Sequence, residues 1–188
     1  YYLSNKLSEI GIEVLYHSSV KDDPYLLEEA VKIGLKRADI LIFTGGLGPT
    51  ADDITKEVVS KTLGLNLRID RNMKNLIKEY FNRTNRSMPE NNIKQAYLPE
   101  GSTILPNEIG TAPGIYIKYK DKKIVLLPGP PKEMKLMFEK YVIPLIKQDF
   151  VIKTAVIKTI GIGESKLETL LRDIIEKQYQ VEGDLRRQ

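Results

Sequence analysis

Two adjacent carboxylates, Asp52 and Asp53, follow a glycine-rich stretch, Gly45-Gly46-Leu47-Gly48-Pro49-Thr50. Glycines let backbone N–H groups approach a phosphate closely. A helix N-terminus adds positive partial charge. The two aspartates would repel a bare phosphate, so their presence implies a divalent metal ion, Mg²⁺ or similar, between carboxylates and ligand. Asp52 and Asp53 are thus the candidate metal ligands and catalytic residues. The competing structural reading is a tight strand-to-helix turn with one aspartate as N-cap. The chain has no cysteine and one histidine, His17. Thiolate metal sites, a cysteine nucleophile and a disulfide framework are excluded, and a histidine pair or Ser-His-Asp triad has little to work with.

Other groups could complete such a site. Thr44, Thr50, Thr55 and Thr111 offer hydroxyls. Asn91, Asn92 and Gln95 offer amides able to read a sugar or nucleobase edge, against the plainer reading of surface amides. Two more loops carry turn residues: Gly110-Thr111-Ala112-Pro113-Gly114 and Pro128-Gly129-Pro130-Pro131, the latter followed by Glu133. Glu133 is explained equally well as a first-turn glutamate stabilising a helix N-terminus. His17 reads best as a polar loop residue.

These residues need elements to position them. Ile40-Leu41-Ile42-Phe43 is a buried strand running into the glycine turn, and a helix from about Ile54 to Leu63 leaves it. Upstream, Leu3, Leu7 and Ile10 share a helix face stopped by Gly11, and Ile12 to Tyr16 reads as a strand. Asp23-Pro24 opens a helix to about Arg37 with Leu26, Leu27, Ala30, Val31 and Leu35 on its apolar face. Downstream, Asp70 caps a helix carrying Met73, Leu76, Ile77, Tyr80 and Phe81. Glu90 to Tyr97 forms a short helix. Thr103 to Leu105, Ile115 to Tyr119 and Lys123 to Leu127 are strands, the last two a hairpin. Pro128 ends that strand, and Pro144 should kink the helix that follows. The helix–strand alternation predicts an α/β fold with a mostly parallel sheet. Ligands bind such sheets outside the carboxyl ends of the strands. Gathered there, the Gly45–Asp53, Gly110–Gly114 and Pro128–Glu133 loops line one pocket. Thr44, Gly45, Gly46, Gly48, Thr50, Asn91, Asn92, Gln95, Gly110, Thr111, Pro113, Gly114, Pro128, Gly129 and Pro130 are its candidate substrate-binding residues.

The spelling of these loops carries a resemblance. Gly45-Gly46-Leu47-Gly48-Pro49-Thr50 with Asp52-Asp53-Ile54-Thr55 resembles the signature of the molybdopterin-binding (MoCF biosynthesis) superfamily, within it the competence/damage-inducible CinA-like branch. Pro89-Glu90-Asn91-Asn92 with Gln95-Ala96, and the two later loops with Glu133-Met134, are similar to that branch's remaining motifs. The resemblance covers about residues 1–150. It implies a three-layer α/β/α domain there, with the start of a small KH-like α+β segment over 151–188. That segment reads as an extended run from Val151 to Ile160, then a glycine turn, then a helix with Leu167, Leu170, Leu171, Ile174 and Ile175. Members of the branch begin with a strand and a loop that helps line the site. This sequence opens on the helix that follows them, so an N-terminal strand is expected to be missing.

The resemblance also implies two chemistries: adenylylation of, or metal insertion into, molybdopterin, and metal-dependent hydrolysis of a diphosphate bond in ADP-ribose or a similar dinucleotide. Asp53 matches the superfamily's aspartate and is expected as metal ligand or base. Asp52 stands where other branches often carry a basic residue, which favours the hydrolase over the pterin-adenylylating enzymes. A non-catalytic ligand-binding module is the remaining alternative. The expected ligand is a small phosphorylated nucleotide or pterin, molybdopterin included. Relatives are commonly dimers or trimers, so a homo-oligomer is expected.

Composition bounds the rest. With 188 residues, 41% of them hydrophobic, the chain can bury a sizeable core. The formal net charge of +4 is spread without a basic block, which argues against nucleic acid as partner and suits a small anion. No Gly-x-x-Gly loop with basic flanks supports RNA binding: Gly161-Ile162-Gly163-Glu164 lacks both spacing and charge. No apolar run reaches membrane-spanning length and no signal-peptide pattern opens the chain, so a cytoplasmic protein away from membranes is expected.

Overall fold

The computed structural model describes residues 1–147, 158–172 and 174. Two units divide the chain, Tyr1–Ile152 and Lys153–Gln188.

In the first unit, α1 (Tyr2–Glu9) is followed by α2 (Pro24–Arg37), whose N-cap Asp23 accepts from the backbone N–H groups of Tyr25 and Leu26. Strand β1 (Ile40–Thr44), α3 (Thr55–Leu63), β2 (Leu67–Ile69) and α4 (Arg71–Arg83) come next. A 3₁₀ segment, Glu90–Ala96, leads into β3 (Tyr97–Pro99), β4 (Thr103–Leu105) and the hairpin β5 (Gly114–Tyr119) and β6 (Lys122–Leu127). Helix α5 (Pro131–Met137) widens into a π-helical turn, Phe138–Val142, before α6 (Ile143–Ile146). The wide turn lies just ahead of Pro144, which has no N–H for an α-type bond and whose ring crowds the carbonyl four residues back.

The main sheet has the order β1-β6-β5-β4, flanked by helices on both faces. Its side chains alternate between two cores, as a pleated strand requires. Ile115, Ile117, Ile124 and Leu126 pack with Leu41 against Val31, Val59, Leu63, Met73 and Ile77 of α2, α3 and α4. Tyr116, Val125 and Leu127 pack against Leu7 of α1 and against Met137, Phe138, Val142 and Ile146. This is the expected three-layer α/β architecture.

Two expectations change in detail, and one sheet is added. Within the α/β class the sheet is mixed rather than mostly parallel: β1 and β6 run parallel, whereas β5 is antiparallel to both β6 and β4. The tight Lys120-Asp121 link forces the β5–β6 pair to be antiparallel. Residues 12–16 do not form a strand. They have no ladder partner among the described residues, Leu15 and Tyr16 are each 55% exposed, and the Ile12 N–H bonds back to Leu7 O. The two-stranded sheet of β2 and β3 is an addition, since strands of three residues show no alternation to read.

In the second unit, residues 164–172 are helical after a turn in which Gly161 has φ +77°. Most of the run expected from Val151 to Ile160 lies outside the described residues, as does Ile175.

Candidate functional site

Register places the three loops on one edge. Thr44 pairs with Leu127 at the carboxyl ends of the parallel strands β1 and β6, and Gly45 N–H continues the ladder to Leu127 O at 2.9 Å. On the antiparallel side, Leu105 pairs with Gly114 and Ile115 with Leu126. The end of β4 and the start of β5 therefore meet the end of β6. The loops 45–53, 106–113 and 128–130 leave from this common edge, where an α/β sheet binds its ligand.

The loops also touch. A Cβ on Gly129 would lie 3.4 Å from Gly45 Cα. Glu133, on the first turn of α5, accepts from Asn107 Nδ2 at 2.6 Å and lies so near Gly110 that a Cβ there would come within 2.5 Å of its carboxylate. Asn107 orders its loop, donating to Ala112 O and accepting from the N–H groups of Ile109 and Gly110. Glu133 thus ties the second loop to the third.

The glycine turn has the geometry its residues suggest. Gly45 and Gly46 have φ of +96° and +68°, a region that L side chains avoid. At Gly46 a Cβ would stand 2.1 Å from Thr55 Oγ1. Since Gly45 N–H bonds Leu127 O, it is not available to a ligand. Among the described residues, no group accepts from the N–H groups of Gly46, Leu47 or Gly48, whose segment leads to the N-terminal end of α3. Three successive unpaired amides near a helix N-terminus favour an anion.

The acidic turn sits beside them. Thr50 N–H and Thr50 Oγ1 both donate to Asp53 Oδ2, at 3.0 and 2.5 Å. No described group donates to Asp53 Oδ1. Asp52 is exposed. The Thr50 hydroxyl close by, then its own backbone N–H and the Lys94 charge, hold its carboxyl below the usual range. The donor set is two hard carboxylates, and among the described residues no group of three or more acidic, histidine or cysteine side chains could hold an ion alone. Two carboxylates with a free Oδ1 fit Mg²⁺, which typically takes one or two carboxylates and completes its shell with water and ligand phosphate.

The remaining candidates sort by exposure. Thr44, Thr50, Gly129 and Pro130 are exposed at the edge, with Gly110 and Thr111 half-buried. Pro113, Gly114 and Pro128 are buried, and Gly114 packs against the Met137 sulfur, so these three shape the edge from beneath. Asn91 is exposed and makes no bond to the loops. Asn92 and Gln95 are buried, and Asn92 Nδ2 donates to Gln95 Oε1 at 3.2 Å. Gln95 Nε2 reaches Leu47 O at 3.5 Å, so this amide pair supports the glycine turn from behind.

Sequence reasoning missed Lys94, Lys56, Glu57 and Asn107. Lys94 Nζ donates to Thr50 O at 2.8 Å and to Asp53 O at 2.5 Å. Lys56, 4% exposed, donates to Lys94 O at 2.6 Å, and its burial pushes the amine down to about 8. Glu57 Oε1 lies 3.8 Å from Lys56 Nζ and 4.0 Å from Lys94 Nζ. Nothing in the sequence separates these lysines from the surface ones around them. Asn107 carried a readable signal, since an asparagine opening a glycine loop is a frequent turn former.

The family model described as "Probable molybdopterin binding domain" matches residues 1–148. The crystal structure of the protein CinA, of unknown function, from Thermoplasma acidophilum superposes with a TM-score of 0.70 at 32% identity, over 77% of this chain and 85% of that one. The chain belongs to the CinA-like branch of the molybdopterin-binding domain family. A CinA-like protein of Dictyoglomus thermophilum is 45% identical over 179 residues, covering 94% of this chain. A competence-damage inducible protein of Natranaerobius thermophilus is 49% identical over 177 residues, covering 92%. The chain spans 44% of the length of both relatives. Among the described residues, no helix is long and apolar enough to cross a membrane.

Proposed function

We propose that this CinA-like domain binds a phosphorylated nucleotide at the loop edge and hydrolyses its diphosphate bond with a divalent metal, ADP-ribose being the model substrate. One observation carries the reading: the unpaired N–H groups of Gly46, Leu47 and Gly48 stand beside the Asp52-Asp53 turn. An anion site next to a carboxylate pair matches a phosphate–metal complex better than either ion alone.

In this reading the three amides hold phosphate oxygens, and Thr44, Thr50 and Thr111 offer hydroxyls at the rim. Asp52 and Asp53 hold the metal, which when bound offsets charge developing on the phosphate oxygens. Water forms the new bond to one phosphorus. The bridging P–O bond breaks, its electron pair leaves with the departing phosphate, and the proton that water loses passes to solvent at the exposed edge. AMP and ribose 5-phosphate are the products from ADP-ribose. Asn92 and Gln95, being buried, act through the glycine turn, while Asn91 is left as the exposed amide able to meet a ribose or base.

A second reading, molybdopterin binding with or without adenylylation, is favoured by the family match itself. A non-catalytic binding module is the third. The test is ADP-ribose turnover with and without Mg²⁺ or Mn²⁺, wild type beside Asp53→Ala, with molybdopterin binding measured in parallel. Metal-dependent release of AMP, lost by at least about 100-fold in the variant, supports the hydrolase. Molybdopterin binding without turnover replaces it by the second reading. Retained nucleotide binding alone selects the third. The cytoplasm and a homo-oligomeric state remain parts of the proposal, checked by fractionation and by light scattering.

A further inference from the structure

The 3₁₀ segment Glu90–Ala96 does more than connect α4 to β3. It grips the glycine and acidic turns at three backbone carbonyls: Leu47 O through Gln95, and Thr50 O and Asp53 O through Lys94. Thr50 O also accepts from Asp53 N–H at 3.3 Å, closing the turn whose last residue supplies the other carbonyl. Two carbonyl oxygens converging on one point repel unless a donor sits between them, and an ammonium supplies both bonds at once. The Lys94 backbone is itself fixed by the buried Lys56, on the first turn of the helix the acidic turn opens. Residues 50–56 and 94 thus form a closed ring: covalent along 50–56, from Lys56 Nζ to Lys94 O, and from Lys94 Nζ back to Thr50 O and Asp53 O.

We propose that Lys94 is the positioning residue of the acidic turn: by holding Thr50 O and Asp53 O inward, it presents the Asp52 and Asp53 carboxylates outward to metal and phosphate. It touches neither ligand nor metal in this arrangement. The proposal rests on the reading of the loop edge as a phosphate–metal site.

The experiment compares wild type, Lys94→Met and Lys94→Arg in the full chain. It reads amide hydrogen exchange over residues 49–55, Mn²⁺ binding by electron paramagnetic resonance, and ADP-ribose turnover resolved into kcat and KM. In Lys94→Met, faster exchange is expected to be confined to residues 49–55, α2 and β6 keeping wild-type protection. Mn²⁺ affinity should fall about 10–100-fold, the range for loss of a group that orients metal ligands. Lys94→Arg keeps the charge but spreads it over a planar fork, so it should fall between the two. Wild-type exchange and Mn²⁺ binding in Lys94→Met overturns the proposal, as does protection lost evenly across the domain. Should Lys94→Met not fold, wild-type Mn²⁺ binding by Lys94→Arg overturns it and weakened binding supports it. If wild type neither binds Mn²⁺ nor turns over, the metal-site reading falls. The exchange data then still decide whether Lys94 holds the turn.

Discussion

At the scale of single residues, the least typical group is the Lys56 amine. Burial lowers it from 10.5 to about 8, the neighbouring Lys94 charge pushes the same way, and Glu57 opposes. Below pH 8 both folded and unfolded chains hold this proton, so folding bears the full cost of burying a charge. Between pH 8 and 10.5 the unfolded chain still holds the proton and the folded one has released it, so this contribution improves as pH rises. Urea unfolding of wild type and Lys56→Met at pH 7.5 and pH 10 is expected to show the gap between them shifting toward wild type at the higher pH. An unchanged gap would mean the amine titrates normally. Asp53 illustrates the opposite case. It was legible as a candidate from its place after a glycine turn, yet the two Thr50 bonds that orient its carboxylate were not.

Among the elements, α4 shows how far local signals reach. Asp70 was readable as its cap, and its carboxylate accepts from Met73 N–H at 2.7 Å while its own N–H binds Ala96 O. Asp70→Ala is expected to cost about 1 kcal/mol, within the usual range for a lost N-cap, and Asp70→Ser to recover most of it. Chemical denaturation midpoints give the comparison. Along the same helix Met73 and Ile77 are buried, but Leu76 is 54% exposed. The apolar stripe is wider than the surface the core covers. Periodicity marks which residues share a face; only the packing of a neighbour determines where that face ends. The short strands β2 and β3 make the same point, because each exists through pairing with the other.

For the whole molecule, one sheet separates two cores, and Phe138 is fully buried in the second. Phe138→Ala is expected to destabilise the domain by about 3–5 kcal/mol, whereas Leu76→Ala, on the surface, should stay within about 0.5 kcal/mol. Thermal unfolding of both variants checks the contrast. A mild effect at Phe138 would mean that the α1, α5 and α6 layer contributes little to cohesion.

The division between sequence and tertiary structure follows from the range of the forces involved. The family, the α/β class, the caps of α2 and α4 and the glycine turn were written in residues close together in the chain. Backbone freedom, capping and amphipathic period are properties of neighbours. The sheet's mixed direction and the irregular path of residues 12–16 depended on which strands find partners, a contest between distant segments. So did the arrangement that holds the site. Lys94 meets Thr50 and Asp53 across 44 and 41 positions, and Glu133 meets Asn107 across 26. A lysine's role is set by what surrounds its amine, and folding brought two backbone carbonyls to this one.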